Sequence, residues 1–179
     1  MKKFFLFLVM AFGLLLNANN ASAQCFPNGN ALDFDGLNDH LVADNHAPYA
    51  LSNMTVEAWV NISASGYQYV GGRYFHGSGT GGGGYWLMIG NYNSTSRNVA
   101  FGVGYNDGNW NHATTVDQIP LNTWTHVAGT YDGSNIRVYI NGVLKATQSY
   151  TGGTLYSSSS QFQVGKRTDD DKYFKGKMD

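Results

Sequence analysis

Residues 124–148 read WTHVAGTYDGSNIRVYINGVLKATQ, and this stretch decides the fold. Trp124 to Tyr131 is rich in β-branched and aromatic residues, and Asp132-Gly133 breaks it. Ile136-Arg137-Val138-Tyr139-Ile140 follows, then Asn141-Gly142, then Val143 to Thr147. Asp-Gly and Asn-Gly accept the positive φ angles of tight hairpin turns, so two such pairs between β-rich runs predict a three-stranded antiparallel meander.

The same period of two extends outward. Met54, Val56, Ala58, Val60 and Ile62 alternate with Thr55, Glu57, Trp59 and Asn61. Further strands are expected at 31–34, 40–43, 67–71, 85–90, 98–104, 161–165 and 173–178. Sustained helical periodicity is absent. About a dozen short strands and no helix predict an all-β antiparallel sandwich of the jelly-roll kind. No internal repeat or interdomain linker divides it.

Composition agrees. The 179 residues include 23 glycines and 3 prolines, with 15% aromatic and 13% charged residues. Coiled coils, acidic tails and basic nucleic-acid binders are all poorly matched by this make-up. A formal charge of -1 gives no attraction to phosphate backbones, so nucleic acid is not an expected partner. One cysteine, Cys25, excludes a multi-disulfide scaffold.

The N-terminus reads as a Sec signal peptide over residues 1–23. Lys2-Lys3 precede the apolar run Phe4–Leu16, and Ala21-Ser22-Ala23 supplies small residues before a cut at Gln24. The run is shorter than the ~20 residues a membrane-spanning helix needs. A lipoprotein would need a small residue before Cys25, where Gln24 stands. The expectation is a secreted, extracellular protein with no membrane segment after cleavage.

Four motifs, taken in order, resemble the laminin-G-like (pentraxin-type) concanavalin A-like jelly rolls of secreted bacterial proteins. They are Ala31-Leu32-Asp33-Phe34-Asp35-Gly36-Leu37-Asn38-Asp39, Met54-Thr55-Val56-Glu57-Ala58-Trp59-Val60, the meander above, and Phe174-Lys175-Gly176-Lys177-Met178-Asp179. The resemblance spans nearly all of residues 24–179 and implies the fold, not a ligand. In the family the last motif continues into an apolar strand pairing near the N-terminal one. On that pattern, this chain is expected to be an N-terminal fragment that lacks its closing strand, so that the strand at 31–34 loses a neighbour and forms an unpaired edge.

Catalytic residues are not expected. Glu57 is the only glutamate, whereas a glycosidase ordinarily sets two carboxylates across the bond. His40, His46, His76, His112 and His126 show no metal-binding spacing, and no nucleophile elbow is present. Gly77, Gly79 and Gly82 have dinucleotide-loop spacing, but a strand-like Tyr85–Ile89 follows instead of a helix.

Asp33, Asp35, Asp39 and Asp44 crowd the N-terminal turns, where hard oxygen ligands would suit calcium. The resemblance implies Asp35, Asp39 and Asp179 as candidate ligands of a structural Ca²⁺. Asp-Gly and Asn-Asp also simply favour tight turns. For ligand contact the candidates are Trp110, Tyr92, Tyr74, Arg73 and Tyr105, because aromatic faces beside Asn, Asp and Arg suit the apolar faces and hydroxyls of sugars. Trp110 stands in a segment that reads as a loop. The expected role is a non-catalytic module binding glycan or a cell-surface protein. A polysaccharide-acting enzyme and an adhesive spacer remain the alternatives. Purified protein is expected to release no reducing sugar from any polysaccharide; turnover that vanishes on changing one acidic residue would overturn this.

Overall fold

The computed structural model describes residues 31–43, 53–75, 83–91, 94–104, 110–151, 161–167 and 172–179. Twelve strands form among them: β1 (Leu32–Asp35), β2 (Leu41–Ala43), β3 (Met54–Ile62), β4 (Gln68–Phe75), β5 (Gly83–Ile89), β6 (Asn98–Gly104), β7 (Trp110–Gln118), β8 (Thr125–Tyr131), β9 (Asn135–Ile140), β10 (Val143–Ser149), β11 (Phe162–Val164) and β12 (Lys175–Met178). They build two six-stranded sheets, ordered β1-β12-β3-β8-β9-β10 and β2-β11-β4-β5-β6-β7. All pairings are antiparallel. No helix occurs among the described residues, so the fold is the all-β sandwich expected for a concanavalin A-like jelly roll.

The meander forms as its turns dictate. Asn141 and Gly142 take φ of 50° and 74°, and Ile140 pairs with Val143, which defines a two-residue hairpin loop. The Asp132 turn is one residue longer. There the carboxylate Oδ1 accepts from the backbone N–H of Ser134 (2.9 Å) and Asn135 (2.7 Å).

Alternating residues face the space between the sheets. Val60 and Ile62 of β3, Leu87 and Ile89 of β5, Val99, Phe101 and Val103 of β6, Val127 of β8 and Ile136 and Val138 of β9 are all fully buried there. One buried polar side chain fastens the layers. Gln68 of β4 donates from Nε2 to the Ala64 carbonyl (2.6 Å), and its Oε1 accepts from the Lys175 N–H of β12 (2.8 Å). Both ends of this amide are thus satisfied out of water.

One expectation is corrected: β7 is a nine-residue strand, and Trp110 opens it instead of standing in a loop. Its sequence WNHATTVDQ hides the strand because β7 is the outer strand of its sheet and buries little. β12 lies between β1 and β3, so the strand at 31–34 is paired on one side by Lys175–Met178. β1 remains the outermost strand among the described residues.

Asp132 also takes Arg137 Nη1 on Oδ2 at 2.5 Å, and that contact, helped by the two turn N–H groups, holds its pKa down to about 2 from an ordinary 3.8. A depressed carboxyl adds stability that is present above its unfolded pKa and lost as pH falls through the folded one. Asp132→Asn keeps an acceptor for the turn but removes the charge. The variant is expected to melt below the parent at pH 7, with the gap closing between roughly pH 4 and pH 2. A gap independent of pH, followed by thermal melts across that range, would refute the assignment.

Candidate functional site

Strand β5, GGYWLMI, is buried along its whole length. Its inward side chains Tyr85, Leu87 and Ile89 fill the core, so Trp86 and Met88 must point to the outer face of the second sheet. A second apolar cluster forms on that face from Tyr69, Tyr74, Trp86, Met88 and Ala100, with Tyr67 and Trp110 packed against it.

The neighbouring strand β6 makes room for these rings. It carries Val99, Phe101 and Val103 inward but Ala100, Gly102 and Gly104 outward. Trp86 is paired across from Gly102, and Trp110 across from Gly104. A Cβ on Gly102 would stand 2.3 Å from Trp86 Cζ2, and one on Gly104 would stand 2.5 Å from Trp110 Cζ3. The two indoles therefore lie down across the glycines, one from each side of β6. His112, on the far side of Gly102, brings its ring to 5.8 Å from that of Trp86.

A β-bulge selects which β4 side chains join them. Register shifts between Tyr69 and Gly71, and a one-residue slip exchanges the two faces of a strand. Tyr74 thereby emerges on the same face as Tyr69 and packs on Trp110 with centroids 4.6 Å apart and planes 35° apart. Arg73 pairs with core-facing Tyr85 and is only 3% exposed. Arg73, expected to contact ligand beside Tyr74, is therefore turned to the other side of the sheet from it.

The cation on this face is instead Arg167. Its guanidinium carbon lies 5.0 Å from the centroid of the Tyr74 ring and 5.8 Å from that of Tyr67, and Nη1 donates to the Tyr67 hydroxyl at 2.7 Å. Tyr67, Tyr74, Trp86, Met88, Trp110 and Arg167 together line a half-open cleft of about 130 Å³. Of the expected ligand residues, Trp110 and Tyr74 are brought together here. Tyr92 and Tyr105 lie outside the described residues. Sequence reasoning missed Tyr67, Trp86, Met88 and Arg167. The available signal was the pairing of an unbroken apolar strand at β5 with the large-in, small-out alternation of β6.

The candidate metal residues are not assembled. Asp35 Oδ1 accepts from the N–H of Leu37 (2.7 Å) and Asn38 (3.3 Å), and Asp39 Oδ2 accepts from the Asp35 N–H (2.9 Å). The Leu37 N–H is the main cause of a lowered Asp35 pKa. Asp179 is held elsewhere, its backbone N–H and C=O paired with those of Trp59. Asp35 faces Lys175 in the β1–β12 register, so Asp179 lies four residues further along, ~13 Å at the usual rise per strand residue. No group of three or more His, Cys, Asp or Glu side chains suited to a metal ion occurs among the described residues.

Glu57 and His126 sit on the outer face of the other sheet, Oε2 to Nε2 at 3.5 Å, with Trp59 packed on the imidazole. Neither lines the aromatic cleft.

Residues 34–179 match the sequence profile of the concanavalin A-like lectin/glucanases superfamily. The chain belongs to this superfamily. Solved structures share its fold at low identity. A candidate carbohydrate-binding protein from Bacteroides ovatus superposes with a TM-score of 0.58 at 20% identity, over 81% of this chain and 41% of that one. The present chain thus spans about two fifths of that protein's length. The CBM40 of the Ruminococcus gnavus IT-sialidase, bound to α2,3-sialyllactose, gives 0.61 at 14% identity, over 83% and 87% of the two chains. Domains LG4-5 of the mouse laminin α1 chain give 0.62 at 13% identity, over 83% and 39%. No curated protein sequence matches the chain. At these identities the likenesses establish the superfamily's sandwich and leave the site to be argued from its own residues.

Substituting Gly102 tests the ring packing directly. Gly102→Ala is expected to cost roughly 1–3 kcal/mol by overpacking and to alter the near-ultraviolet circular dichroism of Trp86. A variant with unchanged melting and an unchanged aromatic spectrum would show that the indole does not rest on that glycine.

Proposed function

We propose that this protein is a secreted, non-catalytic carbohydrate-binding module whose ligand lies on the outer face of the second sheet. The observation that carries the reading is the Tyr74–Trp110 pair, standing beside Trp86 and an oriented guanidinium in one cleft. A sugar ring has an apolar face of C–H groups and a rim of hydroxyls. Aromatic faces take the first, and the fixed donors of Arg167 and the Tyr67 hydroxyl suit the second. Large apolar side chains concentrated on one outer face are also what a recognition surface requires.

The fold relatives support this reading, since the Ruminococcus gnavus module of the same architecture was solved with sialyllactose. The apolar leader at residues 4–16, with small residues before Gln24, supports export. An enzymatic role gains nothing from the described lining of the cleft, among whose residues there is no carboxylate.

Trp110→Ala removes one wall of the cleft and its packing on Tyr74, so binding is compared at a temperature where thermal melts show both proteins folded. Glycan-array screening followed by titration calorimetry is expected to identify ligands for the parent protein. The variant should bind them at least about tenfold more weakly, a loss of ~1.4 kcal/mol. Equal binding by parent and variant would move the site elsewhere, and a parent that binds no glycan would end the proposal.

A further inference from the structure

The shape of the cleft bears on which part of a glycan enters it. Its side is a connected arc. Tyr67 is hydrogen-bonded to Arg167, Arg167 lies against the ring of Tyr74, and Tyr74 packs on Trp110. Its floor is Trp86 and Met88, each 8% exposed. A pyranose entering the opening would thus have side chains around part of its edge, with only narrow strips of Trp86 and Met88 beneath it. An open platform, by contrast, leaves every edge of the ring free for the chain to continue.

Size points the same way. The cleft holds about 130 Å³, well below the ~300 Å³ at which pockets for drug-sized ligands begin. Among the described residues that space suits one sugar ring. The position of the guanidinium adds an orientation. With its guanidinium carbon over the Tyr74 ring and one N–H already given to Tyr67, Arg167 is preset in one direction, so polar groups at one edge of the sugar are read at low entropic cost.

Resting on the carbohydrate reading above, we infer that the cleft recognises a single terminal sugar unit and not an internal stretch of polysaccharide. Affinity is then complete once the first ring, or the first and its linkage, is in place. Added sugars extend into solvent and contribute little, and a bulky group on the terminal ring blocks entry.

The test is calorimetric titration of the full chain with defined probes. These are the methyl glycosides of glucose, galactose, arabinose, glucuronic acid and N-acetylneuraminic acid, together with linear di-, tri- and tetrasaccharides ending in each. Versions of the oligosaccharides carrying a benzylidene group on the terminal ring complete the set. For the sugar that binds, the expected result is one site per chain, less than about a threefold gain from disaccharide to tetrasaccharide, and at least a tenfold loss on capping. Arg167→Lys, which keeps the charge but loses the fork, should weaken the methyl glycoside and the tetrasaccharide by the same factor. Affinity that climbs about tenfold with each added ring, or capped chains that bind as well as uncapped ones, would overturn terminal recognition while leaving carbohydrate binding intact. Absence of binding to every probe and to every arrayed glycan would overturn both.

Discussion

A strand buried on both faces constrains this molecule more than any other element. In a two-layer sandwich each sheet has one face toward the core and one toward water, and a strand ordinarily alternates accordingly. β5 does not: Tyr85, Leu87 and Ile89 are covered by the other sheet, and Trp86 and Met88 are covered as well. Something must shield the outward pair. The shield is a set of rings from β4, β7 and the segment before β4, with Arg167 laid across them. Each of those rings in turn needs space at sheet level, which the small outward side of β6 supplies. The cleft follows from the need to cover β5.

The two outer faces of the sandwich differ accordingly. The first sheet presents Glu57, His126, Arg137, Lys175 and Lys177 among its outward positions, with pairings such as Glu57–His126 between exposed or half-exposed groups. Such contacts contribute little to stability and are normal for a solvated surface. The middle of the second sheet's outer face is instead aromatic among the described residues, with Arg167 as the one charged side chain lining its cleft. An apolar outer face at the middle of a sheet is the informative exception, since exposed single apolar residues are common elsewhere.

Much of the fold was legible because its signals are local. Asp132-Gly133 and Asn141-Gly142 fix hairpins within a few residues, and the alternation of Met54–Ile62 reports directly on burial. β7 was not legible, because an outer strand that buries only Ala113 and Thr115 well carries almost no apolar period. The lining of the cleft was legible only in part for a related reason. Trp110 and Tyr74 could be chosen as rings near polar residues. Choosing Arg73 over Arg167 required counting faces along β4, and the bulge after Tyr69 inverts that count. Trp86 was passed over because a tryptophan in an unbroken apolar strand reads as core. Asp179 could be joined to Asp35 and Asp39 only by resemblance, and the β1–β12 register sets it at the far end.

That register has a mechanical consequence. β1 and β12 run antiparallel with Leu32 opposite Met178, so the first and last described strands meet at one end of their shared ladder. Tension carried along the chain through these two ends would fall on the terminal pair first and peel the strands apart one rung after another. Strands drawn past each other along their length would instead have to break every rung together. A sandwich tied in this way yields to a pull rung by rung, and Phe34 is drawn out of its contact with Phe174 as β1 leaves.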